Sequence, residues 1–319
     1  DDSYYDSQYL SRNATYYGCA YDTDGYVETR DGKKTVKGIH WISKPLGDDS
    51  LVCYSNGKTR GYFNMLTGEI AIKPQYKHAW IFSDGLASVE DNGMIKFIDA
   101  KGNVVIDLSI PYVKGTEGYV FHNGYCVIHN NKRDKFGLID KKGNWMLKAE
   151  YDAITPNDSF FIVSKGRMQS VLAKDLEPVL AFMEAKLRVS AGSINATMKD
   201  HTLRKYNLKG ELIDDFLISN VDGMLYNTDE IRYTTAKNYD DEGNLTGETA
   251  EAEPTPYQKT ASCKKYEAEA GWFGLMSPSG KVITPPRYCD ITAIGYDLYL
   301  CKTDDIRGEV LNGKGIRVR

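Results

Sequence analysis

No stretch of this 319-residue chain approaches 18 consecutive apolar residues; the longest uninterrupted runs are short pieces such as Phe160-Phe-Ile-Val163, so nothing reads as a membrane-spanning helix. Sustained helical periodicity is missing as well. The six cysteines form no C-x-x-C pair and no histidine stands at zinc-ligand spacing from them, which argues against a metal knuckle or a thioredoxin-type motif. The glycines fall singly and never as G-x-G-x-x-G opening a helix, and no H-E-x-x-H, P-loop or serine elbow occurs. A net charge of -4, with Lys and Arg scattered instead of striped, gives no electrostatic footprint for nucleic acid.

What is present is a repeat. Gly271 to Asp290 reads as a hairpin: an apolar run from Trp272 to Met276, the turn Ser277-Pro-Ser-Gly280, and a second run at Val282-Ile283 stopped by Pro285-Pro286. Counted from the hairpin glycine or its equivalent, units recur at Gly32, Gly68, Gly102, Gly143, Leu176, Gly210, Gly243, Gly280 and Gly313, at separations of 33 to 41 residues. Asp99, Asp140, Asn207, Asp240 and Ser277 stand three residues before their glycines, Asn64 is displaced by one, and the end units match only through Asp31-Gly32 and Asn312-Gly313. The second unit shows four short apolar segments, separated by Gly, Pro, Asn and Asp, over about 35 residues. That implies four antiparallel strands joined by tight turns.

The expected fold is all-β: tandem repeats of short antiparallel strands, forming a β-propeller of 7–8 blades, with an open β-hairpin solenoid as the alternative. The two incomplete end units favour the propeller, since together they could complete one blade. The expected layout is an N-terminal tail over residues 1–18, a single array over 19–319, and an acidic loop or elongated hairpin tip at 240–256 that could be mobile or serve in recognition.

These residues resemble the WG-repeat family of bacterial proteins, whose unit runs Trp-Gly-aromatic-Ile-Asp-x-x-Gly-x-x-Val-Ile-x-Pro-x-Tyr-Asp, then Phe-Ser-x-Gly-Leu-Ala-x-Val. The match is best at Phe136 to Asp140 with Gly143 and Tyr151 to Ala153, at Phe82 to Val89, and at Gly271 to Asp290. Between Arg167 and Lys265 the units keep the hairpin but lose the aromatic-Gly and Pro-x-Tyr elements. The resemblance implies a β-rich repeat protein, often exported, with no general activity attached to the family.

Candidate chemistry dissolves into structural roles. Asp99, Asp140 and Asp240 share a slot that other units fill with Asn207 or Ser277, which make the same backbone-directed bonds but shuttle no protons; the slot therefore selects turn-formers. Asp22 to Glu28 and Asn238 to Gly243 carry calcium-like acid spacing but fail the loop pattern, and are read as turns. His40, His78 and His201 fall in different units, and His122 and His129 are close in sequence with no catalytic motif beside them. Cys19, Cys53, Cys126, Cys263 and Cys301 precede their hairpin glycines by 12 to 17 residues, which puts them in one strand of the repeat as small buried side chains; a disulfide between units stays open.

No residue is assigned a catalytic, metal-binding or cofactor role. The favoured function is a non-catalytic binding or scaffold module at the bacterial cell envelope, recognising a protein or glycan, with no nucleic-acid partner. The alternatives are an enzyme whose acids converge in a central channel and a purely structural or adhesive protein. The absence of an initiator Met leaves two readings: a leader removed on export, with a lipid anchor as one version, or a boundary without biological meaning.

Overall fold

The computed structural model describes residues 6–19, 22–115, 118–225, 231–254, 263–295 and 297–318. Among these there is no α-helix, and so none long and apolar enough to cross a membrane. The first sheet holds β1 (Asp6–Ser11), β2 (Ala14–Cys19), β3 (Asp22–Thr29) and β4 (Lys34–Ile39); the second holds β5 (Trp41–Ser43), β6 (Leu51–Ser55), β7 (Arg60–Asn64) and β8 (Ile70–Tyr76). The third comprises β9 (Ala87–Asp91), β10 (Met94–Ile98) and β11 (Val104–Pro111), and the fourth β12 (Tyr125–His129), β13 (Phe136–Asp140) and β14 (Trp145–Tyr151). The fifth comprises β15 (Ala153–Pro156), β16 (Phe160–Lys165), β17 (Met168–Ala173) and β18 (Pro178–Met183), and the sixth β19 (Ala185–Ser190), β20 (Ser193–Met198), β21 (Leu203–Asn207) and β22 (Leu212–Asp214).

In the seventh sheet, β23 (Asn220–Met224) is followed in sequence by a separate two-stranded hairpin, β24 (Ile231–Tyr239) and β25 (Leu245–Pro254). The sheet then resumes with β26 (Lys264–Glu267) and β27 (Phe273–Met276). The eighth contains β28 (Asp290–Gly295), β29 (Leu298–Lys302) and β30 (Gly308–Asn312). Eight successive meanders of this kind are the local organisation of propeller blades, and their number falls within the 7–8 expected. The chain divides into two compact units, Asp1–Thr155 with Val163–Gly166, and Pro156–Ile162 with Arg167–Arg319; the division passes through the fifth sheet.

Turn chemistry sets the meanders. Asp84 and Gly85 both have positive φ, 53° and 79°, as do Asn123 and Gly124 at 51° and 86°. Each pair closes a two-residue hairpin of the I′ kind, whose twist matches that of the flanking strands. The Asp-x-x-Gly turn joins β10 to β11, β13 to β14 and β21 to β22, and its Ser277 version follows β27. Gly102, Gly143, Gly210 and Gly280 donate their N–H to the carbonyls of Asp99, Asp140, Asn207 and Ser277 at 3.0 Å. Leu176, at φ 72°, stands in a glycine's place and donates to Ala173.

The core lies between consecutive sheets. Leu51, Cys53, Tyr62 and Ile72 of the second sheet pack with Ala87, Val89 and Ile98 of the third, joined by Ala79 and Phe82. Ile95, Phe97 and Ile106 of the third pack on Cys126, Ile128 and Ile139 of the fourth. In the second unit, Tyr288, Ile291, Tyr299 and Cys301 pack with Cys263 and Leu275. Each of these sheets buries a face on a neighbouring sheet, which lets short strands share a core.

Several sequence expectations change, and one alternative is selected. Residues 6–18 are not a tail: β1 and β2 pair there, burying Leu10 and Ala14, because a Tyr- and Thr-containing alternating stretch is a good strand whatever its position. Among the described residues the first unit is thus a four-stranded sheet of its own and the last a three-stranded one. In the first turn Gly32 donates to Thr29, not to a partner set by Asp31; in the last, Gly315 and not Gly313 has positive φ (74°) and donates to Asn312. Asp22 to Glu28 runs as extended backbone within β3 and is no turn. Gly243 closes the β24–β25 hairpin, so it marks an insertion and not a repeat, and the nine counted units become eight. Residues 240–254 of the expected acidic loop are the tip and return strand of that regular hairpin, while 255–256 lie outside the described residues.

Candidate functional site

The three turn aspartates spend their carboxylate oxygens on the bonds of their own turns. Asp140 Oδ1 accepts from the N–H groups of Lys142 and Asn144, both at 2.9 Å, while Asn144 Nδ2 donates to its Oδ2 at 3.1 Å. Asp99 and Asp240 make the same bonds with residues 101 and 103, and 242 and 244. These donors hold all three carboxyls below the usual range, through the Asn103 amide first for Asp99 and the backbone of Asn144 and Asn244 first for the others. Asn207 does the same work with reversed polarity, its Nδ2 donating to Glu211 at 2.6 Å.

The cysteines share an equivalent strand of their meanders, the one paired with the strand that leads into the repeat turn, as Cys53 in β6, Cys126 in β12 and Cys301 in β29 show. They are free thiols, and burial pushes each of the three up to about 12, so they carry no thiolate at neutral pH. Among the described residues no three His, Cys, Asp or Glu side chains gather as a metal site.

The histidines are partnered by rings and carboxylates. His201 Nδ1 lies 2.7 Å from Glu269 Oε2, and its ring stacks on Trp272 at 3.6 Å. That is the geometry of an oriented imidazole, but among the described residues no hydroxyl or thiol bonds to it, and the trio braces two turns of the second unit. His129 Nδ1 meets the Tyr119 hydroxyl at 2.8 Å. His78 stacks on Tyr112 at 4.3 Å; burial and the charge of Arg60 lower its pKa, so it is neutral at pH 7.

Arg60 departs from the repeat's own rule. Four residues before the turn residue, where the WG unit places Trp, the third, fourth, sixth and seventh units carry Ile95, Phe136, Leu203 and Phe273, the fifth carries Gln169 and the second carries Arg60. Ile95 is buried in its core cluster and Phe136 packs on His129 at 3.8 Å. Arg60 instead lies half-buried, with Nη1 donating to the Ala79 carbonyl at 3.1 Å and the guanidinium 4.7 Å from the centre of the Trp41 ring. No carboxylate of the described residues is within ion-pair distance of it.

Around this guanidinium lies a cleft of about 620 Å³, flanked by Trp41 and Trp80 and floored by Cys53 and Ala79. Three successive repeats build it. Tyr62 donates its hydroxyl to the Trp80 carbonyl at 2.6 Å, and the Trp80 N–H bonds to Ser88, whose own hydroxyl reaches the Tyr119 carbonyl at 2.9 Å. Gly118 presses on the indole so closely that a Cβ there would sit 1.8 Å from Trp80 Cγ. Sequence reasoning passed over this site although its signal was available: a charge standing in a slot that four other units fill with apolar side chains.

Among solved structures, the chain is similar to BamB from Moraxella catarrhalis at 11% identity, over 98% of this chain and 94% of that one, with a TM-score of 0.36. It is similar to the computationally designed Ika8 protein at 12% identity, over 95% and 94%, with a TM-score of 0.33, and to Kluyveromyces lactis Hsv2 at 11%, over 76% and 97%, with a TM-score of 0.35. At such TM-scores none of these likenesses bears on what the chain does. No curated protein sequence matches it. Residues 61–94 and 136–167 match the family profile of the WG containing repeat, the first stretch beginning one residue after Arg60 and the second at Phe136 in the equivalent slot, so these two stretches of the chain are similar to the WG containing repeat.

Proposed function

We propose that the chain is a non-catalytic binding or scaffold module that recognises a protein or glycan partner at the cell envelope. The observation that carries this reading is the cleft of Arg60, Trp41 and Trp80: a concave, mostly apolar site with one fixed charge, built from side chains held by three repeats. Tryptophan and arginine are the side chains that concentrate binding energy at recognition sites, through area, stacking and charge-assisted bonds. The turn aspartates, whose lone pairs are filled by backbone donors, support a scaffold role for the rest of the array.

The test immobilises the wild-type chain and the Arg60→Leu and Trp41→Ala variants, and challenges each with solubilised envelope proteins and with a glycan array. The reading expects a partner retained by wild type and lost from both variants at unchanged melting temperature. A partner retained equally by all three would remove the cleft from the function.

A further inference from the structure

We infer that the cleft takes a peptide segment in which a single carboxylate sits beside a bulky apolar side chain, an inference that rests on the binding-module reading above. Arg60 is the one charged side chain in the lining, and it has no acidic partner among the described residues, so one negative charge on the ligand balances it. A planar guanidinium already spending Nη1 on the Ala79 carbonyl keeps its remaining N–H groups for a carboxylate.

The walls decide between a peptide and a saccharide. Trp41, Ile42, Trp80, Ile81 and Val120 offer apolar surface, and Ser43 is the only side-chain hydroxyl in the lining. A saccharide would bring several hydroxyls into that space, and each one left without a partner costs binding energy. An apolar side chain loses nothing there. The volume suits about two or three residues, and β5 is the edge strand of its sheet, where an extended peptide backbone could lie alongside. Gly118 and the bonds that fix Trp80 hold the wall in place before any ligand arrives.

The experiment follows the indole N–H signals of Trp41 and Trp80 in the ¹⁵N-labelled full chain. Five probes are titrated: Ac-Leu-Asp-NH₂, its Asn analogue, Ac-Ala-Leu with a free C-terminus, its amide, and a glucuronate disaccharide. At least one acid peptide is expected to shift both indoles, its neutral analogue to bind about 10- to 100-fold more weakly, and Arg60→Leu to lose a similar factor. Which acid peptide binds tells whether the carboxylate is a side chain or a chain end. Arg60→Leu is expected to fold, since Leu203 fills the same slot elsewhere; Arg60→Gln serves as a second variant that keeps hydrogen-bond donors without charge. Neutral analogues binding as well as the acids, full affinity in Arg60→Leu, or shifts with none of the five probes would overturn the inference. Binding of the disaccharide alone would overturn it too while leaving the binding-module reading intact. Capture of no partner by the wild-type chain would instead defeat that reading.

Discussion

Asp140-Lys-Lys-Gly-Asn144 closes β13 on β14, and Asp240-Asp-Glu-Gly-Asn244 closes β24 on β25, with the same turn bond of 3.0 Å from the glycine and the same side-chain clasp of Asp with Asn. The φ of the two glycines is 83° in both. Beyond the turn everything differs. A Cβ on Gly143 would lie 3.0 Å from Ile106 of the preceding sheet, whereas nothing comes within 4 Å of Gly243. The strands before the two turns differ likewise: β13 buries Leu138 and Ile139 completely, while Tyr239 of β24 is 59% exposed and faces the exposed Leu245 across the hairpin end. The turn is a local device, satisfied by five residues, and it says nothing of whether the hairpin it closes is packed into a sheet. Counting turns therefore overcounts repeats.

The contrast can be broken most forcefully at the two glycines. Gly143→Val puts a β-branched side chain at positive φ and against Ile106, and is expected to cost about 1–3 kcal/mol, read as a melting temperature lower by several degrees. Gly243→Val carries the same backbone strain but confines it to a hairpin hydrogen-bonded to no other described strand. The global melting transition of that variant should stay where it is. Equal losses in the two variants would show that the β24–β25 hairpin is part of the cooperative core.

A smaller effect is expected from the charges. The carboxyls of Asp99, Asp140 and Asp240 are lowered in the folded chain, so their stabilisation is complete above the unfolded value near pH 4 and is lost as pH falls through the folded values. Replacing all three by Asn keeps an acceptor for the backbone donors, and a flip of the facing Asn103, Asn144 and Asn244 amides restores the clasp. At neutral pH the triple variant should melt close to wild type, and between pH 5 and about pH 2.5 it should lose less stability than wild type does. A large loss at neutral pH would mean that the charge, and not the turn bonds, holds these hairpins.

The smallest effect sharpens the comparison from the other side. Replacing residues 231–254 with a short flexible linker removes a hairpin whose described side chains are mostly exposed, and an isolated two-stranded ribbon adds little stability of its own. The melting temperature of the remainder should be unchanged, measured by circular dichroism at constant chain concentration. A clear fall would place packing where the present contacts show none.

Local chemistry was legible in the residues. The Asp-x-x-Gly turns, the strand character of the segments between them, the positions of the cysteines in a common strand and the all-β class follow from short-range rules, because a turn's bonds are made among neighbours and a strand's pattern repeats every two residues. The elongated hairpin at Asp240 could be read for the same reason, though not the fact that it stands outside the count of sheets. Tertiary structure alone decided three things. It turned residues 6–18 from a tail into two strands, because burial of Leu10 and Ala14 depends on partners beyond the segment. It divided the chain into two compact units. It also made a site of Arg60: the sequence shows a charge in an aromatic slot, but only the packing of three repeats brings Trp41, Trp80 and Gly118 around it, since contacts between residues dozens of positions apart leave no periodic trace in the chain.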